Sequence, residues 1–214
     1  MKDDCCTLGD AYDLAVIGAG SAGFSAAITA AEGGRRVALI GHGTIGGTCV
    51  NVGCVPSKTM IRAAEALHGA AAAGRFPGLS GAAQVVDWRR LIAAKDDLVD
   101  ALRQRKYAEL LPSYHGITYI DEGPARLREG GVAVGGRMIA APKVIVATGR
   151  RPGVLAIGGI DDVPTLDSTS LLELARLPGR LLFLGGGYIG VELAQIMARM
   201  GVEVTLVCRS RLLP

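Results

Sequence analysis

The chain contains the same pattern twice: an apolar run, three glycines spaced as GxGxxG, a helix-forming segment and a second apolar run. In the first copy, YDLAVI precedes GAGSAG and the second run is residues 37–40. In the second copy, LLFL precedes GGGYIG and the second run ends at residue 207. A short, nearly continuous apolar run is typical of a strand covered on both faces. Each copy therefore predicts a strand, a glycine turn, a helix and a parallel strand, which indicates an α/β fold.

The glycines of the first copy have separate predicted roles. Gly18 would make the tight turn, Gly20 would let the backbone approach a pyrophosphate, and Gly23 would let the helix pack closely on the strand. Ser21 and Ala22 belong to the same turn, just before the predicted helix, whose N-terminal N–H groups and dipole favour a phosphate. Because the turn follows a strand and precedes a helix, it predicts dinucleotide binding, with an ordinary glycine turn as the alternative.

The acidic residue that usually ends the second strand of such a unit is missing from both copies. Gly41 and His42 stand there in the first copy, so we expect His42 or the backbone to hold the ribose, or the adenosine to be bound more weakly. The three glycines of the second copy are Gly185, Gly187 and Gly190. Its second strand ends beside Arg209, which suits a 2′-phosphate and favours NADPH over NADH; a solvated turn residue is the alternative.

Between the two copies, the segment GGTCVNVGCVPSK (residues 46–58) carries two cysteines five positions apart. Zinc is disfavoured, because Cys49 and Cys54 are only two ligands and the three histidines show no matching spacing. A structural disulfide would stabilise little, because the loop that it closes is very short. A redox-active pair is the interpretation that remains.

A redox-active pair at this spacing requires a local break in the helix. In a regular α-helix, residues five apart have Cα atoms about 8.6 Å apart. A disulfide requires roughly 4.4–6.8 Å between the two Cα atoms. We therefore expect an irregular helix, with Gly53 and Pro56 as its causes. A helix N-terminus at residues 47–49 would favour the thiolate form of the cysteine.

The rest of the chain predicts helices at 58–74 and 87–111, and strands at 117–120, 125–127, 132–134, 138–139 and, buried, in 144–152. A net charge of +3 without a basic block argues against nucleic acid as a partner. The uncharged run 14–31 contains three glycines, which favours a strand and a buried helix over a membrane span. Residues 1–10 lack the apolar core of an export signal, so we expect a cytoplasmic location.

The cysteine segment between two glycine units resembles the active-site region of the pyridine nucleotide–disulphide oxidoreductases, flavoenzymes that include glutathione reductase and lipoamide dehydrogenase. Within this family, the sequence is most similar to the branch that reduces mercuric ion. The similar segments are GTIGGTCVNVGCVPSKTMIRAAE and, downstream, KYAELL and residues 119–125. The resemblance extends from Tyr12 to the end of the chain. It implies FAD and NADPH as cofactors, Hg(II) as the substrate that is reduced to Hg(0), and a homodimer for the full-length enzyme.

The resemblance also implies roles for single residues. Cys54 matches the thiol that lies against the flavin ring and Cys49 the thiol that exchanges with substrate, so both would bind Hg(II). Lys58 matches a lysine near flavin N5 and Glu192 the glutamate that pairs with it, with ordinary helix charges as the alternative. Tyr188 matches the aromatic gate over the nicotinamide pocket. The other matched positions are the flavin-side loop Gly46, Gly47 and Thr48, and the end of the first FAD segment, Ala147, Thr148 and Gly149.

The predicted fold is α/β: a Rossmann-like FAD-binding domain (12–153) follows an N-terminal tail (1–11) and precedes a linker and the start of a second Rossmann-like NAD(P)-binding domain (154–214). We expect the chain to be a fragment of the full enzyme and to be inactive in isolation. A dihydrolipoamide or glutathione reductase is one alternative, and a non-enzymatic thiol module that only binds metal is another. Cys5 and Cys6 could bind Hg(II), although a disordered tail is the simpler interpretation.

Overall fold

The structure, a computed structural model, describes residues 11–153, 156–209 and 211–213. The chain divides into two compact units, the first formed by residues up to 51 with 100–151, the second by residues 52–99 with those from 152 onward. The Cys5–Cys6 pair and all of the predicted tail except Ala11 lie outside the described residues. The domain boundaries 12–153 and 154–214 remain predictions.

In chain order, the strands are β1 (Leu14–Ile17), β2 (Val37–Ile40), β3 (Ile117–Ile120), β4 (Arg126–Arg128), β5 (Gly131–Val134), β6 (Arg137–Ala140), β7 (Val144–Val146), β8 (Arg180–Leu184) and β9 (Glu203–Val207). The α-helices are α1 (Ser21–Glu32), α2 (Gly47–Asn51), α3 (Cys54–Ala71), α4 (Trp88–Arg103), α5 (Ser168–Leu172) and α6 (Tyr188–Arg199). Short 3₁₀ turns lie at Ala72–Arg75, Leu111–Ser113 and Ile160–Asp162, and a π turn at Gln104–Ala108.

The first unit contains a parallel sheet in the order β3-β2-β1-β7. Leu14 pairs with Val37 and Ile17 with Ile40, so β1 and β2 end at the same level. All four residues of β2 are buried, as expected of a central strand covered on both faces. One face of the sheet packs on α1, and the other packs on residues of the antiparallel sheet β4-β5-β6. This arrangement confirms the Rossmann-like fold of the first glycine unit.

The second unit contains the parallel pair β8 and β9, in which Arg180 lies opposite Glu203 and Leu184 opposite Val207. Helix α6 connects the two strands and packs against α3. The shared core includes Met60 of α3 with Ile196 and Met197 of α6, which are all at most 1% exposed. The second glycine unit thus has the predicted strand, turn, helix and strand.

Some predicted element bounds are wrong. The helix predicted at 58–74 begins at Cys54, and its α-helical part ends at Ala71. The helix predicted at 87–111 ends at Arg103 and is followed by a π turn. In this turn, the Tyr107 ring packs edge-on against the Phe24 ring, with 4.7 Å between the ring centroids. The strand predicted within 144–152 is only β7, and it is not buried, because β7 is the edge of its sheet: Val146 is 60% exposed.

The uncharged run 14–31 forms β1, the glycine turn and most of α1. Across the residues that the structure describes, no helix combines the length and the apolar character needed to cross a membrane.

Candidate functional site

The first glycine turn joins the carboxyl ends of three neighbouring strands. The Gly18 N–H donates to the Ile40 carbonyl at the end of β2 (2.8 Å), and the Ala147 N–H, just after β7, donates to the Ile17 carbonyl (2.7 Å). Gly18 has φ +116°, and a Cβ there would overlap the Ala147 carbonyl oxygen and lie 2.6 Å from its carbon. Only glycine fits this position, because both the φ angle and the space exclude a side chain.

The predicted flavin-side loop lies directly against this turn. Gly20 and Gly46 form a parallel β-bridge, and the Gly46 N–H donates to the Ala19 carbonyl at 2.9 Å. Gly46 and Gly47 have φ angles of +99° and +66°. A Cβ on Gly47 would lie 2.6 Å from the Gly20 Cα, so the two segments touch backbone to backbone. The structure therefore brings together two of the sequence-predicted cofactor segments and the start of the third at Ala147.

The N-terminus of α1 offers unpaired backbone donors at this turn. The N-cap is Gly20, no side chain among the described residues caps the helix, and its first turn has no acidic residue. The Ser21 hydroxyl lies 3.1 Å from the Tyr107 hydroxyl, while the next residue, Ala22, is exposed. Free N–H groups and the helix dipole suit a phosphate. Because the N-cap is a glycine and no side chain among the described residues caps the helix, there is space for the phosphate. These residues fit the pyrophosphate of a dinucleotide such as FAD.

His42, the sequence-predicted ribose contact, is exposed just beyond β2.

The helix that carries the cysteines is interrupted, as the sequence predicts. Helix α2 ends at Asn51, and α3 begins at Cys54 after Gly53, whose φ and ψ of −122° and −114° are not helical. Pro56 lies in the first turn of α3, where its missing N–H leaves no helical hydrogen bond unmade. Cys49 and Cys54 are both exposed, and Cys49 belongs to the first unit and Cys54 to the second.

The predicted helix N-terminus at residues 47–49 is present as the start of α2, and its effect on the cysteine stays a prediction. Helix α2 has only five residues, so few peptide dipoles align there, whereas α3 has 18 residues and starts at Cys54 itself. The aligned peptide dipoles of a helix place a partial positive charge at its N-terminus, and this charge acts within the first turn. The longer helix is thus the one whose N-terminus coincides with a cysteine.

Asn51, which the sequence analysis missed, holds the loop in front of Cys49. Its amide donates to the Ile45 and Gly47 carbonyls at 2.9 Å each, and its oxygen accepts from Arg103 at 3.0 Å. Arg103 is itself held by Asp100 at 2.6 Å. The only sequence signal was an asparagine inside a glycine-rich segment, where its side chain can cap nearby carbonyls.

We expect Asn51→Ala to lower the free energy of unfolding by about 1–2 kcal/mol, because two carbonyls and one guanidinium N–H lose their partner. Urea denaturation measures the change. Arg62→Ala is the control, because it removes only the exposed Arg62–Glu65 pair of α3 and should cost less than about 0.5 kcal/mol. Equal stability of Asn51→Ala and the parent protein would show that the hydrogen bonds of Asn51 do not stabilise the fold.

Lys58 and Glu192 meet in the second unit. The Lys58 ammonium lies 2.6 and 2.5 Å from the two carboxylate oxygens of Glu192, and the side chains are 54% and 40% exposed. A pair this exposed adds little to stability, about 1 kcal/mol at most. It does fix the direction of the Lys58 side chain, which leaves the α3 surface four residues after Cys54. The redox role that the sequence assigned to both residues stays a prediction.

The second glycine turn repeats the geometry of the first. Gly185 has φ +116°, and a Cβ on Gly190 would overlap the Gly185 carbonyl oxygen. Gly187 is the N-cap of α6, and a Cβ there would meet no atom within 4 Å, so the space above this turn is open. Tyr188, the predicted gate, begins α6 and is 72% exposed. Arg209 is also exposed, two residues past β9.

The remaining predicted positions are Thr48, Thr148 and Gly149. Thr48 is exposed on α2, and a Cβ on Gly18 would lie 3.0 Å from the Thr148 nitrogen. Gly149 follows with φ +74°. Within the described ranges, no group of three or more His, Cys, Asp or Glu side chains could hold a metal ion.

Three comparisons bear on this arrangement. The family described as pyridine nucleotide-disulphide oxidoreductase matches residues 12–214. A mercuric reductase of Streptomyces lividans is 48% identical over 209 residues, which cover 94% of this chain and 43% of the relative. Dihydrolipoyl dehydrogenase 3 of Pseudomonas aeruginosa is 40% identical over 205 residues, which cover 92% of this chain and 43% of the relative.

The chain is also similar to a solved structure, the HOCl-induced flavoprotein disulfide reductase RclA from Escherichia coli. The TM-score is 0.76 at 37% identity, and the match covers 91% of this chain and 41% of that chain. The chain therefore spans about two fifths of the length of each of these proteins.

Proposed function

Because the chain belongs to the pyridine nucleotide-disulphide oxidoreductase family, we propose that the full-length gene product is an FAD-dependent enzyme that reduces Hg(II) to Hg(0) with NADPH through Cys49 and Cys54. The observation that carries the proposal is the cysteine segment, which interrupts a helix at Gly53 and exposes both thiols. The name of the Streptomyces lividans relative favours Hg(II) over other substrates.

Residues of the first unit suit FAD. The α1 N-terminus would hold the pyrophosphate, and Gly18, Gly20 and Gly47 leave the space that a side chain would fill. When bound, FAD supplies the transfer of two electrons from the nicotinamide to a disulfide. The open space above Gly187, at the α6 N-terminus, would accept the nicotinamide nucleotide in the same way.

The cysteines then perform the metal chemistry. The oxidised pair is a Cys49–Cys54 disulfide, which NADPH and a proton convert to two thiols with release of NADP⁺. The thiols lose two protons and bind Hg(II), because soft thiolates are suited to a soft metal. Two electrons pass to the metal, Hg(0) leaves and the disulfide forms again. The balance is NADPH plus Hg(II) giving NADP⁺, Hg(0) and one proton.

Lys58 would place its positive charge near the cysteine pair, and Glu192 would orient the Lys58 side chain. Glu192 directs the Lys58 ammonium with two short contacts. Lys58 lies one helical turn after Cys54 on α3, so residues four apart share one face of that helix. We propose that the ammonium stabilises negative charge that develops on the flavin ring or on the thiolate.

The experiment that tests the function uses the full-length gene product, purified and examined for bound flavin by its visible spectrum. NADPH oxidation is then followed with Hg(II), with lipoamide or glutathione disulfide as competing substrates. We expect bound FAD and oxidation that depends on Hg(II). A colourless protein that only binds Hg(II) would contradict the proposal and favour a thiol module.

A lipoamide-type reductase is the second candidate, because dihydrolipoyl dehydrogenase 3 of Pseudomonas aeruginosa is 40% identical. Faster turnover with lipoamide than with Hg(II) would favour it. We also propose that the full-length protein is a homodimer, which gel filtration with light scattering would test.

We expect the full-length protein to use NADPH at least about tenfold better than NADH, since Arg209 stands beside the place of the ribose-binding acid. Arg209→Glu should reverse or remove this preference, because a carboxylate repels a 2′-phosphate and accepts from a ribose 2′-hydroxyl. The measurement is kcat/KM for the two nucleotides. Arg199→Glu, at the far end of α6, is the control. Equal kcat/KM values for NADPH and NADH in the parent protein would contradict the proposed role of Arg209.

A further inference from the structure

The space beside Gly41, where the missing acid would begin, is filled by another side chain. Gly41 follows β2 directly, is buried, and donates its N–H to the Ile120 carbonyl at 2.9 Å. A Cβ on Gly41 would touch the Tyr119 hydroxyl and lie 2.7 Å from a Tyr119 ring carbon. Gly41 and Tyr119 are thus complementary: a side chain at residue 41 would displace the Tyr119 ring from its present position.

The strand register explains how Tyr119 reaches this place. Tyr119 on β3 lies opposite Leu39 on β2, and residues 39 and 41 point to the same face of the sheet. That face packs on α1, where Tyr119 contacts the cluster of Val16, Phe24 and Leu39. The Tyr119 hydroxyl lies beside Gly41, the residue that follows β2, and therefore at the carboxyl end of the sheet. The Ile40 carbonyl at this end accepts the Gly18 N–H of the first glycine turn.

The Tyr119 hydroxyl is available for a ligand. In the part of the chain that the structure describes, it makes no hydrogen bond, and the side chain is half-buried. Burial, and then the negative charge of Asp121, raise the pKa of Tyr119 above its usual value. The hydroxyl therefore stays protonated near neutral pH and can both donate and accept a hydrogen bond.

We infer that the Tyr119 hydroxyl takes the place of the missing acid and binds the adenosine ribose of the dinucleotide at the first glycine turn. A ribose diol both donates and accepts, so a neutral phenol can serve it as a carboxylate does. Gly41 is then required because its missing side chain makes room for the ring. The inference rests on the proposed FAD-binding function and adds a cofactor-binding residue to it.

The test measures FAD affinity of the full-length gene product after removal and re-addition of the flavin. Tyr119→Phe keeps the ring and removes only the hydroxyl, so we expect about five- to tenfold weaker FAD binding with an unchanged melting temperature. The affinity for FMN, which has no adenosine, should not change. Asp121→Asn is the matched control and should bind FAD as the parent does.

A compensating pair makes the test independent of a folding defect. Gly41→Glu alone should lower both the melting temperature and FAD binding, because its Cβ overlaps the Tyr119 ring. Gly41→Glu combined with Tyr119→Val removes the ring and restores a ribose-binding acid, so FAD affinity should return to within about threefold of the parent.

Three outcomes overturn the inference while the parent protein binds FAD: unchanged FAD affinity in Tyr119→Phe, an equal loss for FAD and FMN, or a larger loss in Asp121→Asn than in Tyr119→Phe. A parent protein that binds no FAD contradicts the proposed function itself, and the inference fails with it. The two failures are therefore distinguishable in one set of titrations.

Discussion

Cys49→Ser and Cys54→Ser should each lower the mercury-dependent NADPH oxidation of the full-length gene product by about a thousandfold or more, with flavin still bound. A serine hydroxyl cannot form the disulfide, and it is a poor ligand for a soft metal. Flavin binding should persist, because the phosphate-binding turn is built from Gly18, Gly20 and Gly47 and uses neither thiol. Steady-state rates and the visible spectrum of each variant measure the two effects.

Cys208→Ser is the matched control for these variants, because it removes a third cysteine, which follows β9 in the second unit. Its turnover at saturating NADPH should stay within about twofold of the parent protein, because Cys208 lies beside the second glycine turn and is not part of the redox pair. Near-normal turnover in either Cys49→Ser or Cys54→Ser would show that the pair is not the redox centre. The same loss in Cys208→Ser would point to a general effect of removing thiols.

The parts of the fold that the sequence predicted depend on local pattern. Strands β2 and β3 have the predicted bounds, because each is a run of four strand-favouring residues between flanking glycine or charged residues. The break at Gly53 was expected from disulfide geometry together with the glycine and proline of the cysteine segment. The glycine turns at Gly18 and Gly185 followed from their position between a strand and a helix.

The parts that the sequence did not predict depend on contacts between distant segments. The Tyr119 ring fills the space beside Gly41 only because β3 pairs with β2 in one register, and 78 residues separate the two positions. Asn51 contacts Arg103 across 52 residues. The π turn after α4 is another case, since it places Tyr107 against Phe24 and Ser21 of α1. Propensity and periodicity carry no information about such contacts.

The largest effect on stability is expected where α1 packs backbone to backbone against the first glycine turn. Gly23→Ala should lower the free energy of unfolding by about 3 kcal/mol or more. The new Cβ would overlap the Gly18 carbonyl oxygen and lie 2.9 Å from its carbon, and this neighbour is backbone that the tight turn holds in place. Helix α1 would have to move away from β1. Its N-terminus would then leave the phosphate position, so FAD affinity should fall together with stability.

Gly33→Ala is the control for this substitution, because it adds the same methyl group at the other end of α1. Its Cβ would meet only ordinary contacts at 3.4 and 3.6 Å, and φ is −78°, so stability should change by less than about 1 kcal/mol. Thermal and urea unfolding of both variants, with FAD titration of the folded protein, give the comparison. If Gly23→Ala were as stable as Gly33→Ala and bound FAD equally well, close packing of α1 on the turn would not be what positions the phosphate site.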